Sequence, residues 1–233
     1  MRSRLALVAV LGPLFAAVLA LTAAPATAES WHIRDRHRDV RSYELTLALQ
    51  PHECDQVVAG DYVPGDRLRD ITAVQVDHGV DSVVAAVRLA EVRLVDKQTS
   101  YELVIRTPTR TFIAEIYRGP RGKRAVDLQI VRPSRDPDAP SCGPVLEIVN
   151  DVDCAGMVGD ADPHADTVTV TIPRACLDTP SWVRLGVATG GFDAKGFDPR
   201  KPLTVVSDTW GERDAFTHLL PAVGPKVHAD QNS

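Results

Sequence analysis

DTVTVTIPRACLDTPSWVRLGVAT, residues 166–189, decides the fold. Val168, Val170 and Ile172 alternate with Thr167, Thr169 and Thr171, the two-residue period of a strand with one buried face. Pro173 has no N–H to donate and ends the ladder. Arg174 to Leu177 is long enough for one tight turn that tucks in Cys176 and Leu177, and Pro180 closes it. Trp182, Arg184, Gly186 and Ala188 then alternate with Val183, Leu185 and Val187, a second strand. Strand, cysteine-bearing turn and strand together predict a sheet protein of an oxidising compartment.

The same period recurs outward in both directions. Strands are expected over 43–49, 70–77, 80–89, 101–106, 111–117, 125–131 and a shorter one over 144–149. His78-Gly79 joins one pair as a hairpin, and Thr107-Pro108-Thr109 joins another. Residues 51–69, 133–140, 150–166 and 190–202 read as loops, and Leu203–Val206 reads as an edge strand. Thr209 to Leu220 spaces Trp210, Phe216 and Leu219 along one side of a short helix. Roughly nine strands joined by tight turns, with no long helical pattern, predict an all-β antiparallel two-sheet sandwich or barrel.

The ends read differently. Arg2 and Arg4, the apolar run Leu5–Leu21 and Ala26-Thr27-Ala28 match a secretory signal peptide over 1–28. Residues 29–42 alternate Arg and Asp and predict a flexible arm. A single domain then spans 43–220, with a flexible tail over 221–233. The formal net charge is −5, and a net acidic chain argues against nucleic acid or an anionic membrane as partner. No membrane association is expected once the leader is cut.

Four cysteines in an exported chain predict two disulfides, for which three connectivities exist. A hairpin return brings the end of strand 166–172 back to the loop before it, which favours Cys154 with Cys176. Cys54 and Cys142 are then left as a long-range staple. A zinc site is the rival reading, and the sequence has no C-x-x-C pair for it.

Chemistry-bearing motifs are scarce. There is no G-x-S-x-G, H-E-x-x-H, Walker loop or G-x-G-x-x-G. His52-Glu53-Cys54 starts like a zinc-protease motif and then departs from it. Asp160, Asp162 and Asp166 alternate at a density that suits a hard cation such as calcium, although no cofactor is expected. The glycine and terminal glutamate of a calcium loop are missing, so a solvated acidic loop is the plainer reading. Sugar platforms need aromatic faces, and the chain has three tryptophans. Trp182, beside a proline in a strand, reads as core. Trp210, beyond the expected edge strand, is the candidate ligand-binding ring.

Three pieces, RLRDITAVQVDHGVDSVVAAVRLAEV (67–92), the segment from Cys154 to Ala188, and SDTW (207–210), carry a resemblance. With its PRACL…WVR motif the chain resembles a set of small secreted actinobacterial proteins of unknown function. That likeness implies a jelly-roll-like sandwich similar to DOMON domains and family-9 carbohydrate-binding modules. The expectation is therefore a secreted, non-catalytic binding module for a polysaccharide or another cell-envelope component. A secreted hydrolase with a carboxylate pair or metal, its Asp160 loop meeting the Asp61 loop or the loop of Asp193 and Asp198, is one alternative. A structural envelope protein is the other.

Overall fold

Side-chain alternation over most of the chain produces fourteen strands and one 3₁₀ turn among the described residues. The computed structural model describes residues 29–36, 38–47, 56–93, 99–118, 124–133, 146–192, 198, 200–210 and 223–229. One sheet runs β1 (Glu29–Arg34), β4 (Ile71–His78), β5 (Ser82–Leu89), β11 (Thr167–Pro173), β10 (Val158–Asp162). The other runs β3 (Gln56–Tyr62), β2 (Arg41–Thr46), β13 (Leu203–Thr209), β12 (Trp182–Phe192), β6 (Thr99–Arg106), β7 (Thr111–Arg118), β8 (Arg124–Pro133), β9 (Leu146–Asp151). The short β14 (Val227–His228) lies against the start of β12. Every pairing among these strands is antiparallel.

The sheets meet through one apolar layer. Val74, Val76, Val83, Val87, Val168 and Ile172 face Leu103, Ile105, Phe112, Ile116, Leu185 and Val187, and all are fully buried. Each such side chain contributes about 1.5–3 kcal/mol by leaving water, which selects the sandwich. Polar bridges also cross between the sheets. The Ile71 N–H donates to Asp208 Oδ2 at 2.8 Å, and the Thr189 hydroxyl donates to the Arg69 carbonyl at 2.7 Å.

The deciding stretch folds as read. β11 ends at Pro173, a 3₁₀ turn spans Arg174–Leu177 with Leu177 fully buried, and β12 begins at Trp182. Asp178 leaves the turn at φ 62. Val158 stands opposite Thr171 in the β10–β11 hairpin, so the residues flanking that hairpin converge. Cys154 and Cys176 are bonded there, with Cα atoms 5.5 Å apart. Cys54, Cys142 and the leader 1–28 lie outside the described residues.

Several expectations give way. Residues 29–34, expected in an arm, form β1, paired along their length with β4 and with Trp31 packed against the core. The surrounding charges hide that anchor in the sequence. The loops 51–69 and 150–166 contain β3 and β10. Both are sheet edges with few buried side chains, so they lack the alternation that announces a strand. Leu203–Val206 belongs to β13, which is an interior strand between β2 and β12. Thr209, expected to start a helix, is the last residue of β13, and Trp210 follows in a turn; residues 211–220 lie outside the described residues. Residues 223–229, expected in a loose tail, dock on β12 and bury Val227.

Candidate functional site

Strand parity makes a groove on the outer face of the larger sheet. Val183 and Leu185 point into the core, so Trp182 and Arg184 point out. Arg184 stands opposite Arg106 on β6, which in turn stands opposite Thr111 on β7. The β6–β7 turn lies beside this row and is closed by hydrogen bonds. The Thr107 hydroxyl oxygen accepts the N–H groups of Thr109 and Arg110 and donates to the Arg110 carbonyl. Val149 and Asn150 of β9 form part of the far wall. The groove measures about 660 Å³.

Trp182 is half-buried and lines this groove. The pairing of Val183 with Val227 sets Lys226 above the indole, with Nζ 4.5 Å from the ring centroid. Such a cation on an aromatic face contributes about 0.5–1 kcal/mol at an exposed site. Arg184 is fixed by donating from Nε to the Gly224 carbonyl at 2.6 Å and from Nη2 to the Val223 carbonyl at 3.2 Å. Arg110 pairs with Asp178 and Arg132 with Glu147. The result is one aromatic ring, fixed cationic side chains, threonine hydroxyls and an amide around a trough. That set suits a ligand with an apolar C–H face and a rim of hydroxyl groups.

Trp210, the ring favoured from sequence, is placed elsewhere. It is 9% exposed, belongs to the core, and meets Trp31 edge to face with centroids 5.1 Å apart. A ring packed that way offers no open face to a sugar. Trp182, expected in the core, instead alternates with the buried Val183 and so faces outward, while Trp210 leaves β13 in a turn that folds it inward.

The acidic residues picked from sequence do not converge. Asp160 and Asp162 are exposed on β10. Asp162 accepts the N–H groups of His164 and Ala165, which builds the hairpin turn. Asp166, at φ 52, accepts the Val92 N–H at 3.0 Å. The loop ending at Asp166 does meet the loop at Pro64 and Gly65 across one cleft, but arginines outnumber its two carboxylates, Asp70 and Asp166, and each of those accepts a backbone N–H.

Two other carboxylate groupings arise from strand register, which residue spacing does not reveal. Asp39, Asp70 and Asp208 bring carboxylate oxygens within 4.8 Å of one another where the two sheets join. These three are the oxygen set among the described residues that could hold a hard cation. Both Asp208 oxygens already accept N–H groups, from Ile71 and Thr209, and Asp70 accepts the Arg38 N–H. Burial, with Asp39 and Asp35 nearby, pushes Asp208 up to about 8, so at neutral pH it holds a proton. The second grouping is a row across the outer face of the larger sheet: Glu102, Glu115 and Asp127 are successive partners on β6, β7 and β8. Like charges directly opposite destabilise a sheet. Burial and then Glu115 raise Glu102, and burial and then Asp127 raise Glu115, which favours the protonated form in each.

No family model, curated protein or solved structure matches the chain. No helix among the described residues is long and apolar enough to cross a membrane.

Proposed function

We propose that this is an exported, non-catalytic binding protein for a polysaccharide of the cell envelope, with the Trp182 groove as its seat. The observation that carries the reading is the position of Trp182: it lines a groove of about 660 Å³ beside Arg184, Thr109 and Asn150, whereas Trp31 and Trp210 pack on each other. The leader-like 1–28 segment and the Cys154–Cys176 bond support export. The jelly-roll-like connectivity and a second disulfide, Cys54 with Cys142, belong to the same reading.

The test is co-sedimentation of the purified protein with insoluble peptidoglycan, cellulose, chitin and xylan. Retention on one polymer, lost on Trp182→Ala with the melting temperature unchanged, is the expected result. Equal retention of Trp182→Ala on every polymer that binds the wild type would remove the groove from the account.

A second reading is favoured by the Glu102–Glu115 pair, two raised carboxyl groups on neighbouring strands. Such a pair can act as proton donor and nucleophile or base in glycoside hydrolysis. Release of new reducing ends from the retained polymer, abolished by Glu102→Gln, would favour a hydrolase over a binding protein.

A further inference from the structure

The outer face of the smaller sheet carries a cleft that the Trp182 groove does not use. Its floor follows from register. Arg34 on β1 stands opposite Ala73 on β4, and Ala73 stands opposite Arg88 on β5. The two arginines therefore flank a methyl group across two strand spacings, about 10 Å. Gln75 and Ala86, the next partners, continue the shallow floor. The loop through Pro64 and Gly65 overhangs it, with Arg38 and Arg67 at the rim, and encloses about 1040 Å³.

The charge in this cleft is unbalanced. Its two carboxylates are engaged by the backbone: Asp70 accepts the Arg38 N–H, and Asp166 accepts the Val92 N–H, each at 3.0 Å. Arg67 pairs with Glu91 and donates to the Ala90 carbonyl. Arg34, Arg38 and Arg88 make no ion pair among the described residues, and all three are exposed. A guanidinium fork matches a carboxylate through two parallel hydrogen bonds. Two such forks across a flat floor of small side chains fit acidic groups that recur along an extended chain.

We propose that this cleft binds an acidic polysaccharide, through carboxylates seated on Arg34 and Arg88. The site is separate from the Trp182 groove and lies on the opposite sheet. The protein would then hold two envelope polymers at once, one on each face.

The test is calorimetric titration of the full chain with soluble polygalacturonate and with its fully methyl-esterified, uncharged form. Binding of the charged polymer should weaken as salt is raised, and the esterified polymer should not bind. Arg34→Ala/Arg88→Ala should lose at least tenfold in affinity, and Lys201→Ala, which removes a charge elsewhere, should not. Both arginines are exposed, and an unchanged melting temperature will show that the double variant is folded. Equal affinity of the double variant, equal binding of the esterified polymer, or binding of long-chain polyphosphate without binding of polygalacturonate would each overturn the proposal. A protein that binds no neutral polymer yet takes polygalacturonate through Arg34 and Arg88 would sink the Trp182 reading and leave this one standing.

Discussion

Replacing Asp208 by Asn should change how stability depends on pH. Asp208 is 5% exposed. Burial, with smaller contributions from Asp39 and Asp35, moves it from 3.8 to about 8 against the opposing N–H groups of Ile71 and Thr209. Between those limits the folded chain keeps a proton that the unfolded chain has released. Folding in that window takes up a proton, so stability falls as pH rises, by up to about 1.4 kcal/mol per unit. Over the whole window the loss is on the order of 5 kcal/mol, comparable to the entire stability of a marginal domain. Above about pH 8 both states are ionised and the slope vanishes. Asn carries no proton, so the variant lacks the slope. Urea denaturation of both proteins at half-unit steps from pH 5 to 8 isolates it: the stability of wild type minus that of Asp208→Asn should shrink steadily as pH rises. Asp39→Asn removes one of the raising charges and should pull the upper end of the window below 8. A difference that stays flat from pH 5 to 8 would refute the reasoning. Asp208 would then be ionised in the fold, and Asp39, Asp70 and Asp208 would be a charged cluster in need of a cation.

His78 should act on the acid side with the opposite sign. It is fully buried, its Nδ1–H donates to the Val227 carbonyl, and burial above all lowers its proton affinity. The unfolded imidazole takes a proton near pH 6.5, so stability should fall as pH drops below that value, and His78→Gln should flatten the fall in acid denaturation curves. Replacing Cys154 and Cys176 by Ser opens a link of sequence separation 22. That should cost about 3 kcal/mol, read as a lower urea midpoint. Gly224→Ala would place a methyl group 2.6 Å from Trp31 Cη2. The ring must move, so the variant should lose about 1–3 kcal/mol together with the near-ultraviolet circular dichroism of the Trp31–Trp210 pair.

Sequence alone reached the elements whose burial is one-sided. β4, β5, β6, β7, β11 and β12 each place apolar side chains on one face in the shared core, and a two-residue period states that directly. The cysteine pair at the ends of the β10–β11 hairpin was equally legible, because hairpin geometry brings its flanks together. β3 and β10 were not, since Val58 and Val158 are more than half exposed and these edge strands show little one-sided burial. The candidate sites were the least legible part. Trp182 joins Arg106 and Asn150, and Glu102 joins Glu115, only after the strand order is known. Strand order depends on long-range pairings that local pattern does not encode.

The same limit applies to charge. A net of −5 describes the whole chain, but a ligand responds to what lies within about one screening length, roughly 10 Å at 0.1 M salt. Inside the β1–β4–β5 cleft that radius contains the row Arg34–Ala73–Arg88 and two carboxylates already engaged by backbone N–H groups. The outer face of the other sheet holds the opposite arrangement, Glu102, Glu115 and Asp127 in one row. β-sheet register therefore sorts a mixed, mildly acidic composition into rows of single sign, with the Arg106–Arg184 pair sharing the outer face of the larger sheet with the acidic row. Raising the salt should weaken any polyanion bound over the arginine row and leave stacking on Trp182 nearly unchanged. That contrast separates the two faces without a single substitution.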